Sequence, residues 1–252
     1  MSSESRDPTD EARVTAYLEV AGELCARVEA LVAAANVVLK AGPYRLTFRD
    51  RILIGLALKI DSALRALMDD VRLYRSESMH HLKTMAESYI YFWYVVRDST
   101  EATAKRVLAD THHAYAVFLE ETGGSPEEIR DWRAERDALR AGTTKLPDVK
   151  TLANAHGEEF RKWYSSVYRL ACESAHTGDL FAFMPDPDAQ VIQLNAAAFA
   201  SQTARYAIHY ALAIVLDVVE TASRENVVGL TADVSDLRAE YQAVPSLTGG
   251  KA

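Results

Sequence analysis

Seven side chains in two segments could do chemistry. Lys83 and Glu87 lie in residues 82–96 (LKTMAESYIYFWYVV). Tyr168, Arg169, Cys172, Glu173 and His176 lie in residues 160–176 (FRKWYSSVYRLACESAH). Each segment sets ionisable groups among large apolar and aromatic residues. Buried ionisable groups are costly unless they are paired. Their clustering marks either a structural polar network or a site.

Lys83 and Glu87 stand one helical turn apart. They read as a charge pair presented to a pocket, or as an exposed pair worth a few tenths of a kcal/mol. Leu82, Ala86 and Ile90 beside them favour partial burial. Tyr168, Cys172 and His176 follow steps of four and share a helix face, while Arg169, Glu173 and His176 share the adjacent one. A Cys172–His176 nucleophilic pair is one reading; a small core thiol and a His that complements a helix C-terminus is the other, and the more common.

Two spacings point to wider classes. Glu77/His80 and Glu173/His176 have the Glu-x-x-His step of carboxylate-bridged di-metal bundles. The step is near chance frequency here, so no metal or other cofactor is expected. Arg, four to six intervening residues and then His, as in HEPN-type ribonucleases, occurs at Arg75 with His80 and His81, Arg106 with His112 and His113, and Arg169 with His176. Only the last lies deep in an amphipathic pattern. His209, with Arg205 and Gln202 on one helix face, either approaches the same cavity or is ordinary surface. Gly-rich phosphate loops, Gly-x-Ser-x-Gly elbows and His-Glu-x-x-His are missing from the sequence.

The elements that must position these groups are helical. The chain has 252 residues, 49% hydrophobic and 25% charged, which is ordinary for a globular domain. A net charge of −8 disfavours phosphate backbones, so nucleic acid would require a local basic patch. Two cysteines, Cys25 and Cys172, make neither a disulfide framework nor a zinc spacing and fit a reducing cytoplasm. No apolar leader is read at the N-terminus and no run of membrane-spanning length, so no membrane partner is expected.

Apolar residues spaced by three and four predict helices over about 10–40, 47–75, 77–96, 100–122, 126–140, 148–154, 160–176, 195–224 and 231–242. Thr47, Ser76 and Ser125-Pro126-Glu127-Glu128 read as starts; Gly42-Pro43, Gly123-Gly124 and Thr177-Gly178 read as stops. Residues 181–194 are unlike helix and allow a short hairpin or flap. The expected architecture is an all-α, single-domain bundle of about six to eight helices spanning 11–243, between a disordered 1–10 and a flexible 244–252.

The strings LKTMAESYIYFWYVV and YRLACESAH, with the preceding LALKIDSALRALMDDVRLYRSE, resemble the core elements of a bacterial helical family, domain of unknown function 5677. The resemblance covers roughly residues 47–225. Lys83 stands where the family has Arg, Glu87 matches its Glu, Tyr168, Glu173 and His176 match theirs, and Cys172 stands where Ser is usual. The resemblance implies an all-α fold in which these side chains converge. It brings no established activity, and associations with mobile elements and defence. The expected function is therefore a binding or interaction role in a bacterial cytoplasm, in phage defence or a toxin–antitoxin setting. Lys83, Glu87, Tyr168, Cys172, Glu173 and His176 would form the ligand cluster, and the partner would be a second copy of the chain, another protein or a small polar ligand. A metal-independent HEPN-type ribonuclease using Arg169 and His176, with Glu87 as a further catalytic candidate, is the alternative; a di-metal protein is third.

Overall fold

The computed structural model describes residues 8–42, 45–75, 77–98, 100–140, 145–173, 201–227 and 233–244. They form an all-α bundle, with no strand among the described residues. The helices are α1 (Pro8–Ala41), α2 (Phe48–Arg72), α3 (Ser78–Val96), α4 (Ala102–Thr122), α5 (Pro126–Arg140) and α6 (Val149–Ala155). Then come α7 (Glu158–Trp163), a π-helical turn (Tyr164–Tyr168), α8 (Arg169–Glu173), α9 (Ser201–Arg224) and α10 (Ser235–Ala243).

The helix ends follow local chemistry. Thr47 Oγ1 accepts from Asp50 N (3.0 Å), and Asp50 Oδ2 accepts from Thr47 N (3.0 Å), a reciprocal cap for α2. At its other end α2 closes in a Schellman motif: Arg75 N donates to Asp70 O (2.8 Å) and Tyr74 N to Val71 O (3.1 Å), with Tyr74 at a φ of 52°. The slip in apolar phase near 72–76 has this cause; Ser76, read as the next cap, lies outside the described residues. The carboxylate that starts α4 is Asp98, which accepts from the backbone N–H of Thr100 (2.8 Å) and Thr103 (3.0 Å). Burial raises the Asp98 pKa, but these bonds and those from the two Thr hydroxyls outweigh it and hold it near about 2. Ser125 and Glu128 form the capping box expected for α5.

The core centres on α3. Met79, Leu82, Met85, Phe92 and Val95 are fully buried, and α3 touches α2, α4, α6, the π turn, α8 and α9. An apolar-all-round helix needs cover on every side, and α3 has it. From α2 come Leu64, Leu67 and Val71 and from α9 Ala207, Leu212 and Leu216; Tyr17 and Leu24 of α1 extend the core on the α2 and α9 side. Arg49 locks the start of α2 to the ends of α3 and α9, donating to Val96 O (2.9 Å), Asp98 O (3.2 Å) and Glu225 Oε2 (2.7 Å). Helix α5 buries no residue and lies on α4, where Trp132 meets the rings of His112 and Tyr115 edge-on.

One expectation needs correction. Thr203–Arg224 is long and apolar enough, by length and composition, to cross a membrane. Its apolar length has another use here: Ala204, Ala207, Ile208, Ala211 and Leu212 face the core.

Candidate functional site

The 158–173 segment is not a continuous α-helix. Arg169 N donates to Tyr164 O, five residues back, so Tyr164–Tyr168 is a π turn. Single π turns inside α-helices recur at functional sites because they re-aim the side chains that follow. Here they re-aim Tyr168, Arg169 and Cys172. Val167 and Ala171 stay buried against α3, Tyr168 and Cys172 become half-buried, and Arg169 is exposed.

From α3, Glu87 reaches this surface. Burial raises the Tyr168 hydroxyl pKa well above its ordinary value, helped by a hydrogen bond with Cys172 and by the charge of Glu87. Burial likewise pushes Tyr91 up to about 12, with Glu87, Asp110 and Asp148 adding to it. Both phenols stay protonated at neutral pH. The Tyr164 and Tyr168 rings stack at 5.3 Å. Lys83 is half-buried one turn before Glu87. The side chain of Glu173 and all of His176 lie outside the described residues, and with them the Glu87–His176 and Cys172–His176 pairings.

The other sequence candidates have partners of their own. Asp70 lies 3.8 Å from Arg75 and 3.2 Å from His81. Arg106 donates to Tyr94 Oη (3.1 Å), and His112 packs on Trp132. Glu77 and His80 are exposed, and no group of three His, Cys, Asp or Glu able to hold a metal occurs among the described residues. The surface reading of His209 is corrected: it sits half-buried between α1 and α10. Its Nδ1 is 3.0 Å from Tyr17 Oη and its Nε2 3.2 Å from Tyr241 Oη. Burial, then the nearby Arg205 charge, lower its pKa to about 4. Arg205 itself is buried against Asp10. The Gln202 side chain lies outside the described residues.

Sequence reasoning missed two features. Asp217 of α9 accepts from Tyr89 Oη (2.8 Å) and Trp93 Nε1 (2.9 Å) on the same carboxylate oxygen. Its signal was an acid inside the apolar run ALAIVLDVV. The second is His156, at the end of α6. Arg97 Nη1 lies 3.1 Å from its Nδ1 and 3.1 Å from its carbonyl oxygen. A guanidinium only donates, so Nδ1 accepts and Nε2 carries the proton. Burial, then Arg97, lower the His156 pKa to about 4.

Ring contacts join these groups into one aromatic row. His156 meets Phe160 (5.2 Å), Phe160 meets Tyr89 (5.7 Å), Tyr89 meets Trp163 (5.6 Å) and Trp163 meets Tyr210 (5.4 Å). Tyr210 then meets His209 (5.0 Å), and His209 stacks on Tyr241 (5.1 Å). The row crosses the bundle from α6 to α10 and fixes the π-containing segment against α3 and α9.

Comparison of the chain with protein-family models, with curated proteins and with solved structures finds no match.

Proposed function

We propose that this is a binding protein of a bacterial cytoplasm that recognises a small polar ligand rich in hydrogen-bond donors, in a defence or toxin–antitoxin setting. One feature carries the reading: α3, with half-buried Glu87 and Tyr91, packs on the π-turn segment, whose half-buried Tyr164 and Tyr168 rings stack at 5.3 Å, and burial keeps the Tyr91 and Tyr168 phenols protonated. Protonated phenols near a carboxylate orient a ligand and do not serve as bases at neutral pH. Half-buried rings supply an apolar wall at small entropic cost. The carboxylate attracts amine, amide or guanidine groups. The test is thermal-shift screening with polyamines, guanidines and nucleosides against wild type, Glu87→Gln and Tyr168→Phe. A compound that raises the wild-type melting temperature and loses that effect in both variants is the expected result. Equal shifts in all three proteins refute the reading.

A second reading, the metal-independent ribonuclease using Arg169 and His176, is favoured by one observation: Arg169 emerges exposed directly after the π turn. Cleavage of single-stranded RNA by wild type, abolished in Arg169→Ala with the fold intact, would put it first.

A further inference from the structure

Ten consecutive residues of α1, 30–39 (ALVAAANVVL), carry no charge, and none of them is buried. Opposite them on α2, residues 52–58 (ILIGLAL) are apolar throughout, and only Leu53 is buried. A helix apolar on all sides belongs under cover; Leu31, Ala35, Val38, Leu39, Ile52, Ile54, Leu56 and Ala57 pack partly on the core, and the other side of each stretch is open. Val37 is 68% exposed, Leu58 42% and Val32 37%. Between the helices lies an open cavity of about 240 Å³. Its walls include Val28, Leu31 and Leu39 of α1, Ile54 and Ala57 of α2, and Val219 of α9. Among the described residues, only Asn36 and Ser223 bring polar side chains to it, and no aromatic ring lines it.

Charge identifies what covers this face. The chain as a whole carries −8, yet residues 30–59 hold five basic residues, Lys40, Arg45, Arg49, Arg51 and Lys59, against one acid, Asp50. Asp50 is used in the α2 cap, and Arg49 pairs with Glu225. Lys40, Arg45, Arg51 and Lys59 are exposed beside the apolar stretches. An exposed aliphatic surface bordered by cations is the pattern of a protein that lies on an anionic lipid surface. A second copy of the chain docked face to face would oppose one basic rim with another, which costs affinity. A peptide partner would bring backbone groups that need hydrogen bonds, and the groove offers two polar side chains. An acyl chain needs none.

We propose that this face docks on an anionic bilayer surface, with Val32, Val37 and Leu58 inserted among the acyl chains, the cavity taking one aliphatic chain, and the four cations at the headgroups. The sequence expectation of no membrane partner rested on the lack of an apolar leader and of a spanning run; a peripheral contact needs neither. The site is separate from the Glu87–Tyr168 cluster, so either reading stands without the other.

The experiment is sedimentation of the full chain with vesicles of phosphatidylcholine alone and with 30 mol% phosphatidylglycerol (about a third anionic, as needed for a strong surface potential). Expected is binding to the anionic vesicles only, weakened as salt shortens the screening length. Lys40→Glu combined with Arg45→Glu should weaken it by roughly thirtyfold or more, at about fivefold per cation removed. Val37→Asp, at a position 68% exposed, should abolish it. Arg130→Glu on α5 should leave it unchanged. Absence of binding, binding insensitive to salt and to these variants, or a stable dimer that Val37→Asp converts to monomer, overturns the proposal.

Discussion

Removing the Asp217 carboxylate should cost the bundle a large share of its stability, because one oxygen serves two donors. Its Oδ2 is the shared acceptor for Tyr89 Oη at 2.8 Å and Trp93 Nε1 at 2.9 Å. Tyr89 is 7% exposed, packed between Phe160 and Trp163. In Asp217→Ala both donors lose their acceptor inside that packing. A hydrogen bond to a charged group is worth about 1.5–3 kcal/mol, and a donor left unsatisfied keeps its desolvation cost. Asp217 and Trp93 are half-buried, so water repays part of the loss. The expected cost is about 2–4 kcal/mol, a fall in melting temperature of about 4–16 °C for a chain of this size. Asp217→Asn keeps an acceptor oxygen without the charge and should lose about half as much. Urea unfolding followed by far-UV circular dichroism measures both, with the midpoint shifting at constant slope. A cycle with Tyr89→Phe should give a coupling of at least about 1 kcal/mol. If Asp217→Ala stays within about 0.5 kcal/mol of wild type, or the coupling vanishes, the carboxylate does not hold the aromatic row.

Two further outcomes follow from the buried groups. His156 and His209 both titrate near about 4 in the fold, against an ordinary value near 6.5. Their folded pKa is depressed, so the unfolded chain binds more protons in between; stability is full above about pH 6.5 and falls as pH drops toward 4. Denaturation midpoints across that window should show the slope, and His209→Gln should reduce it. Burial first, then Asp61, push the Cys25 thiol up to about 11. Cys172 is half-buried. Iodoacetamide at neutral pH should therefore modify Cys172 first and reach Cys25 only on unfolding, read by mass spectrometry of peptides; rapid labelling of Cys25 in the native protein would contradict its burial.

Helix starts were legible because they are written in short local codes. The Thr47–Asp50 and Ser125–Glu128 caps each need four residues, and the apolar run of α3 announced its central place. The Tyr74 Schellman turn showed only as a slip in phase, because a left-handed Tyr carries none of the glycine signal. The π turn was invisible. Phe160, Val167 and Ala171 keep helical spacing with or without it, and the extra residue goes to the exposed side. Asp217 was hidden by distance: its partners lie on α3, 128 and 124 positions away, and periodicity says which face an acid occupies but not what it meets. Tyr168 and Glu87 were identifiable as polar groups in apolar helices; Tyr91, half-buried one turn after Glu87, looked like one more aromatic in YIYFWYVV.

The π turn also sets a rule for how this chain tolerates change in length. A π turn is, in effect, one residue inserted into an α-helix, held as a bulge. Deleting a single residue between 164 and 168 would let 158–173 relax into an unbroken α-helix, with as much helix as before. The wide turn already absorbs that one residue, so the side chains beyond the deletion would keep their direction relative to Phe160 and Trp163. Elsewhere in 158–173 no bulge takes up the change, and the loss of a residue between Phe160 and Trp163 would turn everything after it by about 100°. The segment therefore has one place, 164–168, where its residue count can fall by one; a gain or loss at its other positions redirects the face that meets Glu87.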